Sequence, residues 1–186
     1  MKKLMIASDI HGLGSCCRTL LERFDTEKAD KLLLLGDLLY HGPRNGVPEE
    51  YAPTEVIDLL NSIKQHILCV KGNCDSEVDQ MVLEFPILAD YALISAGDAD
   101  LFATHGHHHS EATPPPFSMG SILLCGHTHV PACNVHENFV YLNPGSVSLP
   151  KENSCRSYMT LENGVFLWKE LESGKEYRRW TAASTH

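Results

Sequence analysis

Five short apolar runs in this chain each stop at a group of residues able to hold a metal ion, and this repeated design limits the possible folds more than any other feature. Residues 4–7 lead to Asp9-Ile10-His11, and residues 32–35 to Gly36-Asp37. Residues 67–70 lead to Gly72-Asn73-Cys74-Asp75, residues 101–103 to Thr104-His105-Gly106-His107, and residues 122–125 to Gly126-His127-Thr128-His129. Brief apolar runs bounded by glycine and polar residues read as buried strands. In open α/β sheets, ligands bind beyond the carboxyl ends of the strands. Five such ends on neighbouring strands would direct Asp9, His11, Asp37, Asn73, His105, His127 and His129 into one crevice. Asp9 and His11 are two residues apart, as are His127 and His129, which in extended backbone puts both side chains on the same side. Glycines beside Asp37, Asn73, His105 and His127 permit tight turns and close backbone approach. Two carboxylates, one amide and four imidazoles, without a thiolate, suit Mn²⁺, Fe or Zn²⁺. A lone Asp or His is more often structural; the ordered set of seven carries the reading.

The remaining pattern is α/β. Leu13, Cys16, Cys17, Leu20, Leu21 and Phe24 recur at helical spacing. Val56, Leu59, Leu60 and Ile63 form a second stripe, with Pro53 in its first turn. Val78, Met81 and Val82 predict a short third helix over residues 76–82, with Asp75 as its N-cap. These aliphatic stripes are assigned to the core. From Pro86 the pattern turns to strands over 92–95, 101–104, 122–125, 131–135, 139–142, 157–161 and 165–171. Asn163-Gly164 marks a hairpin between the last two. Residues 110–119, with Pro114, Pro115 and Pro116, read as a stiff covering loop, and the tail after Trp180 as frayed. Parallel crossovers early and strand pairs late suggest two sheets packed together with helices outside.

The chain has 186 residues, which predicts a single domain over 1–186. Its net charge of −9 argues against extended nucleic-acid binding, which needs a basic face. No apolar run approaches the roughly 20 residues of a membrane span, and Asp9 ends the N-terminal apolar run too early for a signal peptide. Seven cysteines, an odd number without any CxxC pair, fit neither a disulfide framework nor a thiolate zinc site, and together these features predict a cytoplasmic protein. Eleven histidines are the unusual count. His66, His136 and His186 are read as ordinary histidines, and the tract His107-His108-His109 as a loop at the site rim.

The ordered motifs DxH, GDxxxHG (Asp37 and His41), GNCD, THGH and GHTH resemble those of the calcineurin-like metallophosphoesterase superfamily. Asn143-Pro144-Gly145-Ser146 matches a further element, and the resemblance runs from Asp9 to Pro150. The fragments HGPRN, GNCDSEVDQM and NPGSVSLPK are similar to a subgroup of small bacterial and archaeal phosphodiesterases. The resemblance implies a four-layer αββα sandwich of two mixed β-sheets flanked by helices, with a dinuclear centre. Carried over by position, Asp9, His11 and His129 would bind one metal, and Asn73, His105 and His127 the other. Asp37 would bridge them. Two divalent cations are therefore expected, Mn²⁺ first, with Fe, Zn²⁺ or Ni²⁺ as alternatives. Against the −2 of Asp9 and Asp37 they would leave the site at +2, able to attract a phosphate on an acidic protein. The implied reaction is hydrolysis of a small phosphate ester by in-line attack of a metal-bridging hydroxide, with no protein nucleophile.

One position departs from the broader family, where a histidine follows the asparagine of the third motif and assists the leaving group. Here it is Cys74, a weak hydrogen-bond donor. That predicts a preference for good leaving groups, with Cys74 and His41 as the candidate assisting groups. Arg44, His41 and His107 are candidate substrate contacts, Arg44 by a bidentate grip on a phosphate oxygen. Self-association into a homo-oligomer is expected, and no membrane partner. The competing readings are a metal-binding interaction scaffold without hydrolysis and a nuclease acting on DNA ends. Retention of donors at all seven positions favours the enzyme over the scaffold, and the acidic charge disfavours the nuclease.

Overall fold

Apolar runs too continuous for a half-exposed strand must be covered on both faces, and the arrangement of the sheets supplies that cover. The computed structural model describes residues 2–96, 99–116 and 120–182. Eleven strands and three α-helices follow in the order β1 (Lys3–Ala7), α1 (Gly14–Glu27), β2 (Lys31–Leu34), α2 (Pro53–Ser62), β3 (Ile67–Cys69), α3 (Glu77–Gln80) and β4 (Tyr91–Ala96). Then come β5 (Ala99–Thr104), β6 (Ser121–Leu124), β7 (Ala132–Val135), β8 (Phe139–Asn143), β9 (Ser157–Glu162), β10 (Val165–Glu170) and β11 (Glu176–Thr181). The first sheet has the order β11-β10-β9-β1-β2-β3 and the second β4-β5-β6-β8-β7. Both are mixed. β1, β2 and β3 run parallel in the first sheet, as do β5, β6 and β8 in the second, and the flanking strands are antiparallel.

The period of two along each strand divides the core. Leu4 and Ile6 of β1, with Leu33 and Leu35 at β2, face Leu101, Ala103, Ile122, Leu124 and Leu142 of the second sheet. Phe166 and Trp168 of β10 fill the same inter-sheet layer. Met5, Ala7, Leu32 and Leu34 point the other way, against Cys17, Leu20, Val56 and Leu60 of α1 and α2. Fully burying one such aliphatic side chain contributes roughly 1.5–3 kcal/mol. Pro53 opens α2 at its first turn, as expected. On the far face of the second sheet Phe102, Leu123, Cys125 and Tyr141 form a separate cluster. Near it, His109, Pro115 and Pro116 line a cavity together with residues of β4 and β5, so the proline loop runs beside this face; positions 117–119 of the expected loop lie outside the described residues.

Three expectations fail here. The third apolar stripe is not core: α3 is a single turn of four residues, and Val78, Met81 and Val82 are 69%, 84% and 43% exposed. One turn cannot present a stripe. Its N-cap is Ser76, whose hydroxyl accepts from the Asp79 N–H in a capping box, so Asp75 is not the cap. β11, with sequence EYRRWT, was not expected as a strand. It is an exposed edge with a single apolar anchor, Trp180, whose ring lies 5.5 Å from Phe166. The Asn163-Gly164 hairpin forms as read, with φ of 50° and 74°. Residues 183–186, including His186 and most of the tail expected to fray, lie outside the described residues.

Candidate metal centre

The seven donor residues lie just past the carboxyl ends of five strands, but those strands belong to two sheets. β1, β2 and β3 deliver Asp9, His11, Asp37 and Asn73, while β5 and β6 deliver His105, His127 and His129. The local backbone is also not extended. Asp9, His11, Asp37, His127 and His129 have φ of 60°, 50°, 57°, 64° and 63°, in the left-handed region. The two-residue spacing therefore works through left-handed turns rather than through strand alternation. Each such non-glycine residue costs roughly 1–2 kcal/mol, and such strain collects at functional sites.

Hydrogen bonds hold these turns together. The N–H groups of Asp9 and His11 donate to Gly36 O (3.1 Å) and Asp37 O (2.9 Å), tying the end of β1 to that of β2. The His127 N–H donates to Asp9 Oδ2 (3.1 Å), joining the two sheets across the site. Ser146 and Ser148 hydroxyls both donate to Asp9 O (2.9 and 2.8 Å). Asn143 Nδ2 donates to Gly126 O (2.8 Å), so the 143–148 segment braces both the loop bearing Asp9 and the loop bearing His127. Gly72 must be glycine, since a Cβ there would fall 2.1 Å from Asp37 Oδ1. Asp75, fully surrounded, accepts three backbone N–H groups: Asp37 (2.9 Å), Leu38 (2.9 Å) and Gly72 (2.7 Å). It clamps the turn after β2 to the turn after β3. Reading Asp75 as a cap missed this role, because partners 37 and 38 residues away leave no local signal.

The imidazoles are oriented by carbonyls. His11 Nδ1 donates to Tyr40 O (2.8 Å), His105 Nδ1 to Leu35 O (2.6 Å) and His129 Nδ1 to Leu149 O (2.6 Å). A carbonyl only accepts, so each Nδ1 carries the proton and each Nε2 turns into the site. His11 Nε2 and His129 Nε2 then lie 3.2 Å apart, two acceptors facing each other when the rings are neutral. Asp9 Oδ1 is 3.3 Å from His129 Nε2 and 3.7 Å from His11 Nε2, and this buried oxygen has no hydrogen-bond partner among the described residues. A second group forms around His105 Nε2, with Asn73 Oδ1 at 3.1 Å, His127 Nδ1 at 3.2 Å and Asp37 Oδ2 at 3.4 Å. Asp37 Oδ2 is also 3.7 Å from His11 Nε2, between the two groups. A buried acceptor without a donor costs about 1–3 kcal/mol. Cations in these positions would satisfy the crowded lone pairs, and the O/N donor set fits divalent ions.

Without cations the charges compensate one another. Burial alone would raise the Asp37 carboxyl, but the hydrogen bond and charge of His105 hold it well below the usual carboxylate range. Asp9 is likewise lowered, burial being outweighed by His129 and His105. Burial disfavours a charged His105, yet Asp37 and Asp9 push it up to about 9. Burial and the charge of Asp37 push the Cys74 thiol up to about 12, so it stays protonated.

A crevice of about 270 Å³ opens onto this centre, lined by His11, Asp37, Asn73, Cys74, His127 and His129 together with residues 42–45 and Lys151. Arg44 is on its wall. His41 and His107 are not. The His41 ring packs between Tyr40 and Tyr51, at centroid distances of 4.6 and 5.2 Å. The His107 ring meets that of His105 edge-on at 5.4 Å, and burial with neighbouring histidines lowers it to about 4. Lys151 escaped notice in the sequence because an isolated lysine after a proline carries no signal.

The family model of the calcineurin-like phosphoesterase superfamily domain matches residues 1–164. Phosphodiesterase YfcE of Escherichia coli strain K12 is 45% identical over 165 residues, covering 89% of this chain and 90% of the relative. The protein named "Probable metallophosphoesterase YsnB" of Bacillus subtilis is 30% identical over 169 residues, covering 86% and 85%. A solved structure of YfcE, described as a phosphoesterase from E. coli, superposes with a TM-score of 0.93 at 41% identity, covering 97% of this chain and 99% of that one.

Proposed function

Since the chain belongs to the calcineurin-like phosphoesterase superfamily, we propose that it is a metal-dependent phosphodiesterase acting on small phosphate esters. The observation that carries this reading is the meeting of His11 Nε2, His129 Nε2 and the unpartnered Asp9 Oδ1 beside a second group centred on Asp37 and His105. On this reading two divalent ions bind. Asp9, His11 and His129 hold one, Asn73, His105 and His127 hold the other, and Asp37, lying between the groups, serves both. Mn²⁺ is the expected occupant, with Fe, Zn²⁺ or Ni²⁺ as alternatives, because hard and borderline donors dominate. When bound, such ions supply positive charge to the phosphoryl oxygens and acidify water.

The side chains of the chain do the rest. The Nδ1 bonds of His11, His105 and His129 fix ring orientation, and such partners matter to metal affinity by about 10–100-fold. Arg44 binds a non-bridging oxygen of the ester from the crevice wall. Cys74, a neutral thiol at the site, donates weakly to a leaving oxygen, so esters with good leaving groups react fastest. Seven unpaired cysteines fit a reducing compartment, which supports the cytoplasm as its location.

The test is direct. Metal-free protein should gain hydrolysis of bis(4-nitrophenyl) phosphate on addition of Mn²⁺, and Asp37→Ala should abolish it. Metal uptake without hydrolysis of any aryl ester would replace the enzyme by a metal-binding scaffold.

A further inference from the structure

Beyond the seven donors, the crevice wall carries two cationic side chains, Arg44 and Lys151, while Asp37 is the sole carboxylate among the residues lining it. Neither cation has a side-chain partner among the described residues. Both stand on constrained backbone. Arg44 lies in the turn where the Asn45 N–H donates to Gly42 O (3.3 Å) and Asn45 Nδ2 to His41 O (2.8 Å). The Lys151 N–H donates to the carbonyl of His129 (3.2 Å), and Lys151 O accepts from the Ser154 N–H (3.0 Å) and hydroxyl (2.6 Å). Glu152 and Asn153 between them are left-handed, with φ of 53° and 56°. The loop presenting Lys151 is thus clamped to a metal-facing residue and closed by its own tight turn.

We propose that Lys151 binds a second anionic group of the substrate, and that the preferred substrate is a phosphodiester whose arm carries its own phosphate. This rests on the hydrolytic reading above. A simple diester brings one negative charge. Two divalent ions against Asp9 and Asp37 would leave +2, or +1 with a hydroxide, which already matches that charge, and Arg44 adds a surplus. Lys151 is then a positive charge beyond what the scissile group can use, on a protein whose net charge is −9. The volume of about 270 Å³ holds a phosphoryl group and a compact arm, so the second anion lies close to the first. A lysine suits this place, since a mobile ammonium can follow a terminal phosphate whose position varies with the arm.

The experiment compares two ligand pairs on Mn²⁺-loaded wild type, Lys151→Ala and Lys151→Arg. Hydrolysis is read with thymidine 5′-(4-nitrophenyl phosphate) and with the same ester carrying a 3′-phosphate. Binding is read by calorimetry with thymidine 5′-monophosphate and thymidine 3′,5′-bisphosphate. The wild type should favour the 3′-phosphorylated member of each pair by about two- to fivefold, the size of one exposed charge contact. Lys151→Ala should bring both ratios to about one, mainly through KM, and Lys151→Arg should restore most of the preference. Equal weakening of both members would put Lys151 on the scissile phosphate, and no change would leave it a solvated cation. Either result overturns the proposal. Lys151-dependent selective binding without hydrolysis of either ester would sink the hydrolytic reading and leave the second-anion site standing.

Discussion

Asp75 is the side chain whose removal should do the most damage without touching a metal donor. Its Oδ2 accepts from the N–H groups of Asp37 and Gly72, and its Oδ1 from that of Leu38. Asp75→Ala strands three buried donors at about 1–3 kcal/mol each. Burial raises the Asp75 carboxyl against the pull of those donors, so its ionisation cancels part of their return. The net loss should therefore fall near 3–5 kcal/mol, the range for breaking a buried charged contact. For a domain of this size that lowers the melting temperature by roughly 6–20 °C. Asp75→Asn keeps one oxygen for two donors but turns an NH₂ towards the third, and should cost about half as much. Because Asp75 fixes the turns bearing Asp37 and Asn73, metal affinity should also fall, by about 10–100-fold. Thermal melts of metal-free protein and Mn²⁺ titrations of both variants measure the two effects. An Asp75→Ala melting shift below about 2 °C would refute the clamp, as would normal metal affinity in a destabilised variant.

In metal-free protein His105 is protonated up to about pH 9. Its folded value lies above the free value of about 6.5, so its contribution to stability is complete below pH 6.5 and is lost as pH rises through 9. On the proposed reading a metal takes the same Nε2, so uptake should release about one proton at pH 7.5 and tighten about tenfold per pH unit up to 9; calorimetry in buffers of different ionisation enthalpy counts that proton. Arg44→Ala should raise KM for aryl phosphodiesters about tenfold with unchanged metal content, measured by steady-state kinetics and elemental analysis. Cys74→His should raise turnover of diesters with poor leaving groups more than of 4-nitrophenyl esters, since an imidazolium donates a proton that a thiol with a value near 12 holds.

What the sequence made legible was the set of seven residues that meet in one place and the strands that carry them. β1, β2 and β6 are buried on both faces, so their apolar runs are unbroken, and the donors follow where each run stops. The geometry behind the spacing was not legible. A DxH motif looks the same whether its backbone is extended or, as here, left-handed at both Asp9 and His11. The change of pattern at Pro86 signalled a second set of strands, but not that the five strand ends divide between two sheets, because all five read alike as an apolar run followed by polar residues. Polar residues with long-range roles were the hardest to read. Asp75 answers to Asp37 and Leu38, Ser146 and Ser148 to the carbonyl of Asp9, and Lys151 to His129, contacts spread over 22 to 139 residues of sequence. Edge strand β11 was missed because its exposed charges leave only Trp180 to pattern it.

Metal stoichiometry tests the central claim most directly. Equilibrium dialysis of metal-free protein against Mn²⁺, followed by elemental analysis, should give two ions per chain for the wild type. His129→Ala and Asn73→Ala should each retain about one, and Asp37→Ala should weaken both sites. A wild-type protein that takes up no ion at millimolar Mn²⁺, or one whose uptake is indifferent to all three substitutions, would contradict the account.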